Sequence, residues 1–194
     1  MFIGAGSQAE YGTYRTGRIG EDTPTNPVDA YGIAKLAAGQ YTAIKARQLG
    51  MISVWVRIFS VYGPFDRSTS LIQTTISKLR NNEVPKFTKA TQMWDYLYSA
   101  DAGRALYLIG LKCNTSSVYC LGYGKSRPLL EFIEIIHKNV NPNIELGIGQ
   151  LPYTGYPISI EPDIEQLTKD VGFIPLTSFE EGIAQILSTN TITI

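Results

Sequence analysis

The run ISVWVRI at residues 52–58 constrains the fold more than any other stretch of this chain. It is nearly continuous in apolar and β-branched residues. A strand of this kind has to be covered on both sides, which is the situation of an interior strand in a parallel sheet. Upstream, Pro24 and Pro27 bracket the approach to a helix expected over about 29–49, and Gly50 supplies its stop. Residues 2–6 read as the end of another strand. Strand, helix and strand in this order make a βαβ unit with a right-handed crossover.

The rest of the chain reads as alternating short elements. Residues 13–27 are turn-rich and 59–70 form a loop. Helices are expected over 71–81, 100–111, 128–139, 164–171 and 178–187, with Pro128 in the first turn of the third. Residues 84–88, 118–121 and 144–148 read as short strands, and 96–98 lead into a helix. No repeat or low-complexity segment interrupts the pattern.

Composition excludes several classes of function. The 17 basic and 17 acidic residues balance, and no basic stripe appears, which argues against nucleic acid as a partner. No apolar run reaches the roughly 18 residues that a membrane span requires. The opening MFIGAGSQAE lacks the basic region of a signal peptide. Cys113 and Cys120 show no metal spacing, and Cys120 in SVYCLG reads as a small core residue. A reducing, cytoplasmic setting is expected. His137, the single histidine, falls on an amphipathic helix, so packing is expected of it and no metal site is.

Tyr31 and Lys35 lie four apart on the first helix and therefore share a face. An ammonium beside a phenol favours the phenolate and lowers the tyrosine pKa from its usual value of about 10. Such a tyrosine exchanges protons near neutral pH. Ser7, from a different segment, is a second group able to hydrogen-bond the same substrate oxygen. The trio suits interconversion of an alcohol and a ketone coupled to hydride transfer. The same spacing also describes a solvated surface pair worth a few tenths of a kcal/mol, so its meaning depends on context.

The context is a series of segments in a fixed order: SQAEYG at 7–12, NPVDAYGIAK at 26–35, RIFSVYGP at 57–64, WDYLYSADAGRA at 94–105 and VGFIPLTSFEEGI at 171–183. In that order, from residue 2 to about 187, the chain resembles the extended short-chain dehydrogenase/reductases. These are the nucleotide-sugar epimerases, dehydratases and reductases. The resemblance implies an α/β fold: a partial Rossmann-type parallel sheet with a smaller α/β substrate-binding lobe. Residues 1–62 and 95–123 would belong to the sheet, and 63–94 and 124–194 to the lobe.

The resemblance also implies roles. Tyr31 would be the acid/base. Lys35 would lower its pKa and hydrogen-bond the nicotinamide ribose of NAD or NADP, and Ser7 would orient the reacting sugar oxygen. Phe59 occupies the position whose backbone meets the nicotinamide, or is a core aromatic. Ser60 stands where the family has an Asn that contacts the phosphates of the nucleotide-diphosphate sugar. Leu71 and Phe87 fall where the nucleotide site is lined. Trp94 stands where epimerases acting on uridine diphosphate sugars often carry an Arg; stacking on a base or sugar and simple packing both stay open for it. A second family Arg, expected ahead of Asp163, is missing, and Arg67 is a candidate replacement.

The 4,6-dehydratases carry Asp-Glu directly after the catalytic Ser/Thr. Here those positions are Gln8 and Ala9, which disfavours dehydration; Glu10 lies one position further on, where a structural role is at least as expected. GAG at 4–6 and GYGKS at 122–126 do not match the Gly-rich turn that holds a dinucleotide pyrophosphate. The chain is therefore expected to be the C-terminal part of a longer enzyme. It would leave an apolar sheet edge that calls for a second copy or a missing N-terminal half. Two functions stay open: an NAD(P)-dependent epimerase or 4-keto-sugar reductase, and a non-catalytic remnant or partner subunit unable to bind dinucleotide alone.

Overall fold

A computed structural model describes residues 1–12, 16–153 and 159–189. Along the chain run β1 (Phe2–Ser7), β2 (Thr16–Ile19), α1 (Ala30–Gln48), β3 (Ser53–Ile58), β4 (Val61–Tyr62), α2 (Leu71–Arg80), β5 (Met93–Trp94) and β6 (Leu97–Tyr98). They are followed by α3 (Ser99–Lys112), β7 (Ser117–Leu121), β8 (Arg127–Pro128), α4 (Leu129–Val140), β9 (Ser159–Pro162), α5 (Glu165–Val171) and α6 (Phe179–Thr189).

The apolar run is the central strand it was expected to be. β3 pairs in parallel with β1 on one side and β7 on the other. Val54 and Val56 point to one face, where Ala105 and Ile109 of α3 and Leu167 and Val171 of α5 cover them. Trp55 and Arg57 point to the other face, beneath α1, and both are buried. The fold is thus an α/β sheet covered on both faces, as in a Rossmann arrangement.

Three glycines make room for the Trp55 indole. Gly4 stands opposite Trp55 in the register, and a Cβ on Gly4 or on Gly6 would collide with the ring. From above, a Cβ on Gly39 of α1 would lie 2.8 Å from Cε2 of the indole. The GAG stretch is therefore strand, and its glycines accommodate an aromatic side chain.

Helix α1 begins where Asp29 accepts the Gly32 amide at 2.7 Å, an N-cap bond. It ends with Lys45 and Arg47 in the last turn, where they complement the helix dipole, and with Gly50 at φ +64°.

A second core joins α2, α4 and α6. Ile72, Ile76 and Leu79 meet Phe132, Ile133 and Ile136, and Phe179, Ile183 and Ile186 close the cluster. These residues recur three and four apart on each helix, so each helix turns one apolar stripe inward. Tyr62 of β4 inserts among them, 4.9 Å from the Phe179 ring between centroids. Cys113 and Cys120 are buried thiols, and His137 bonds the Ile144 carbonyl at 2.7 Å, a packing role.

Several expectations need correction. Residues 16–19, read as turn, form β2, and it pairs in parallel with the unanticipated β9. Of 13–27, residues 13–15 lie outside the described residues. The loop expected at 59–70 contains β4, paired with β6. Neither 84–88 nor 144–148 is a strand. They meet at one parallel bridge, Lys86 to Gly147, because Pro85 has no amide to extend a ladder and Gly149, at φ +77°, turns the chain. Pro128 is the N-cap of α4 instead of lying in its first turn, and with Arg127 it forms β8 against β5.

The outer edge of β1 carries no strand among the described residues. Phe2 and Ile3 are exposed there, as are Ile33, Tyr41 and Ile44 on α1 and Tyr107 and Leu111 on α3. No helix of the described residues is long and apolar enough to cross a membrane, and among them no His, Cys, Asp and Glu gather as a metal site.

Two helical glycines give opposite expectations. Glycine costs about 1 kcal/mol relative to alanine inside a helix. Gly103 of α3 faces open space, so Gly103→Ala should stabilise by about that amount. At Gly39 a new methyl has to displace an indole that β1 holds from the other side, which costs about 1–3 kcal/mol. Gly39→Ala should therefore lower the urea midpoint while Gly103→Ala raises it.

Candidate active site

β1 delivers Ser7 to its C-terminal end, where the chain enters a single 3-10 turn at Gln8–Tyr11. Ser7 is extended, at φ −151° and ψ 150°, and its Oγ accepts the Ala9 amide at 3.2 Å. In return Glu10 Oε1 accepts the Ser7 amide at 2.9 Å, which completes a capping box. The Ser7 hydroxyl accepts through one lone pair and keeps its O–H to donate.

The N-terminus of α1 lies directly on this turn. A Cβ on Gly32 would meet the Ala9 carbonyl oxygen at 2.5 Å, so only glycine permits the approach. The Asn26 amide donates to the Glu10 carbonyl at 3.0 Å and fixes the entry to the helix. Tyr31, next to Gly32, is 57% exposed and is therefore open to a ligand. Lys35 reaches across from α1 to β1: its Nζ donates to the Ala5 carbonyl at 2.9 Å and lies 5.7 Å from the centroid of the Tyr31 ring. Lys35 thus joins α1 to β1 two residues before Ser7, and Tyr31 lies on the same face of α1.

Beneath the Ser7 turn lies a buried ionic network. Glu10 is fully buried; its carboxylate also accepts Trp55 Nε1 at 2.9 Å and Arg57 Nε at 3.0 Å. Arg57 Nη1 donates to the Tyr11 hydroxyl at 2.9 Å and to the Glu21 carbonyl at 3.1 Å. Burial, helped by the neighbouring Cys120 thiol, pushes the Tyr11 phenol far above its ordinary range, so Tyr11 stays neutral and donates to the Gly20 carbonyl at 2.8 Å. Sequence reasoning left Glu10 with two possible roles. The S-x-x-E spacing of Ser7 and Glu10 is the local signal that marks its capping bond, whereas its bonds to Trp55 and Arg57 depend on partners about fifty residues away.

Asp95 is a second buried carboxylate. It accepts the amides of Tyr123, Gly124 and Lys125 at 2.7, 2.9 and 3.2 Å. The GYGKS stretch therefore does hold an anion, and that anion is this protein's own side chain. Burial pushes the Asp95 pKa up to about 6 against the three amides, which favour the charged form.

Two neighbouring cavities open near the second core. The first, about 380 Å³, is lined by Leu71 and Phe87 together with Thr74, Lys78, Lys86 and Ile133. The second, about 420 Å³, is lined by Lys89, Thr91, Tyr153 and Ser159 among others. Thr88, Ala90, Gln92 and Leu151 line both.

The remaining candidates are scattered. Phe59 is buried, its ring 6.1 Å from that of Tyr11 and its amide bonded to the Leu121 carbonyl. Trp94 packs against both the Phe59 cluster and the second core, and its Nε1 is buried without a partner among the described residues. Ser60 is half-buried, and its carbonyl accepts the Leu97 amide. Arg67 is exposed on the turn before α2 and lines neither of these two cavities.

A family model described as the NAD dependent epimerase/dehydratase family matches residues 1–122. The chain belongs to this family. The dTDP-glucose 4,6-dehydratase of Streptomyces niveus is 24% identical over 185 residues, covering 95% of this chain and 55% of that protein. The crystal structure of UDP-glucose 4-epimerase with UDP-glucose from Thermotoga maritima superposes with a TM-score of 0.87 at 21% identity, covering 99% of this chain and 64% of that one. UDP-glucuronic acid 4-epimerase from Bacillus cereus in complex with NAD gives a TM-score of 0.84 at 20% identity, covering 97% and 61%. The two structural likenesses establish the fold. The family's relatives are enzymes, and the chain spans about half the length of the curated relative it matches.

Two measurements follow from the buried carboxylates. Between pH 4 and 6 the folded chain holds a proton on Asp95 that the unfolded chain releases, so its stability contribution is present below pH 4 and is lost as pH rises through about 6. Urea midpoints of the native chain relative to Asp95→Asn should fall across that window and flatten above it. Arg57→Met leaves the Glu10 charge buried without its counter-ion and should cost about 3–5 kcal/mol in urea unfolding, most of which the added change Glu10→Gln restores.

Proposed function

We propose that this chain carries the proton-transfer and sugar-binding part of an NAD(P)-dependent sugar-nucleotide epimerase or 4-keto-sugar reductase. The observation that carries the reading is the Lys35 Nζ bond to the Ala5 carbonyl, which draws the Tyr31–Lys35 face of α1 to the strand end where Ser7 sits. On this reading residues 1–62 and 95–123 serve the cofactor sheet, and 63–94 and 124–194 form the substrate lobe.

Tyr31 exchanges a proton with the sugar hydroxyl or keto oxygen. Ser7 donates its O–H to the same oxygen, with its orientation set by the capping box. Lys35 holds the turn of α1 that carries Tyr31 against β1 through its bond to the Ala5 carbonyl. Tyr11, held neutral by burial, takes no part in proton transfer. Tyr31 and Lys35 present hydroxyl and ammonium donors on an accessible face, which fits the ribose hydroxyls of a nicotinamide dinucleotide, with Phe59 alongside. Such a cofactor, when bound, supplies hydride chemistry.

Elimination of water is disfavoured. Gln8 and Ala9 offer no acid or base, and the nearby Glu10 is engaged by Arg57 and Trp55. Two cavities edged by Lys78, Lys86 and Lys89 suit the anionic diphosphate of a sugar nucleotide. The relatives act on UDP- and dTDP-sugars by their names, which supports the same ligand class. The apolar edge of β1 and the exposed faces of α1 and α3 favour association with a further copy or with a segment that completes the sheet.

One observation favours the alternative of a non-catalytic subunit. Gly4 and Gly6 accommodate Trp55, and the amides of residues 123–125 bind Asp95, so neither Gly-rich stretch offers its backbone to a pyrophosphate. Titration calorimetry with UDP-glucose, dTDP-glucose, NAD+ and NADP+, followed by turnover assays, separates the two. The enzyme reading expects binding of a sugar nucleotide and of one dinucleotide, with turnover that falls about 10²–10⁴-fold in Tyr31→Phe at unchanged sugar-nucleotide affinity. Sugar-nucleotide binding with neither dinucleotide affinity nor turnover selects the subunit.

A further inference from the structure

A third cavity, about 360 Å³, lies between α1 and the sheet face that Trp55 and Arg57 share. It has no lining residue in common with the two cavities near the second core. Ser53 and Ser117, the first residues of β3 and β7, line it, and so do Arg57 and Glu10. Those serines stand at the opposite end of the strands from the Ser7 turn. The cavity therefore runs from the far end of the sheet to the ionic network beneath that turn. Leu36 and Ala43 of α1, Trp55 and Val118 give it apolar walls. Val118 stands opposite Trp55 in the β3–β7 register, so both present the same face.

The inner end carries an uncommitted donor. The Arg57 side chain is 9% exposed. Its Nε donates to Glu10, and its Nη1 donates to the Tyr11 hydroxyl and the Glu21 carbonyl. Nη2, with two N–H groups, has no partner among the described residues. A donor on a side chain this buried calls for an acceptor. The chemistry of that acceptor is restricted. Glu10 already balances the guanidinium charge, and it lines the same cavity. A second anion would be buried there without a counter-ion of its own. A neutral carbonyl oxygen satisfies Nη2 and adds no charge. Apolar walls around one well-placed polar group are the make-up of a small-molecule site.

We infer that this cavity is a second ligand site, which takes a small neutral ring bearing an amide or keto oxygen. The oxygen accepts from Arg57 Nη2, and the ring lies between Trp55 and α1. The site is distinct from the sugar-nucleotide cavities proposed above. It meets the candidate active site only at the Glu10–Arg57 pair, whose carboxylate accepts the Ser7 amide.

The test is titration of the full chain with benzamide, benzoate and toluene, followed by calorimetry and by the NMR signal of the Trp55 indole N–H. Two variants accompany it. Ala43→Phe fills the cavity from an exposed position on α1. Arg57→Lys keeps a cation beside Glu10 and removes Nη2. The native chain should bind benzamide with a Kd in the millimolar range or tighter, the affinity open to a ligand of that size. Benzamide should bind at least about tenfold tighter than benzoate or toluene, the worth of one hydrogen bond to a charged donor, and should shift the Trp55 signal. Ala43→Phe should weaken benzamide about tenfold with a melting temperature within about 3 °C of native, and Arg57→Lys should abolish the preference over toluene. Benzamide binding unchanged in folded Ala43→Phe places the ligand elsewhere and overturns the inference, whatever the stability of Arg57→Lys. Benzoate or toluene bound by the native chain as tightly as benzamide also overturns it. A native chain that binds none of the three leaves Nη2 to water and overturns it as well.

Discussion

The Glu10 carboxylate is the point on which the rest of the structure turns. A fully buried charge is tolerated only when it is hydrogen-bonded and a counter-ion is near. Glu10 meets both conditions, with donors from Ser7, Trp55 and Arg57. Those donors belong to separate parts of the fold: the end of β1, the middle of β3 and its far end. One side chain therefore fixes where β1 stops and how the turn leaves it. It also fixes which side of β3 faces α1. The Ser7 end of β1 above it inherits that geometry. Ser7 has its extended backbone and its accepting lone pair because the residue three positions on closes the capping box.

The glycines extend the same logic to α1. Helix α1 comes close to β1 and to the turn that follows it. Close approach needs small residues wherever the surfaces touch. Gly32 permits contact with the Ala9 carbonyl, and Gly39 permits contact with the Trp55 ring, seven residues and about two turns further along the same face. Gly4 and Gly6 recess β1 beneath that ring. Trp55 thus acts as a spacer between sheet and helix, with its N–H tied to Glu10. The glycines weaken the helix and the strand locally. Packing and the buried network make up the difference, which is why a methyl added at Gly39 and one added at Gly103 have opposite signs.

What was legible in the sequence was whatever depends on local chemistry. The ISVWVRI run showed a strand buried on both faces because it is nearly continuous in apolar and β-branched residues. Asp29 and Gly50 marked the ends of α1 because capping is a matter of one or two residues, and the Tyr31–Lys35 spacing survives because helical periodicity is rigid. What was not legible depends on distant partners. β2 and β9 are four residues each and pair across more than 140 positions of sequence. Residues 84–88 look like a strand by composition, yet Pro85 and the turn at Gly149 reduce them to a single bridge. Glu10 keeps two open roles in the sequence, and its burial shows only once Arg57 and Trp55 are placed beside it.

The two buried carboxylates show why such features belong together. Glu10 and Asp95 sit in the first and fourth of the five segments that resemble a known family, and each satisfies its charge differently. Glu10 has a guanidinium partner and is held as an ion pair. Asp95 has only amide dipoles, so burial raises its pKa to about 6 and leaves it close to neutrality. The amides that bind it come from the loop joining β7 to β8, while Asp95 itself lies between β5 and β6. The bond therefore ties the second core to the parallel sheet. Small local charges, each satisfied by a few named donors, thus fix a geometry that apolar packing alone would leave free to slide.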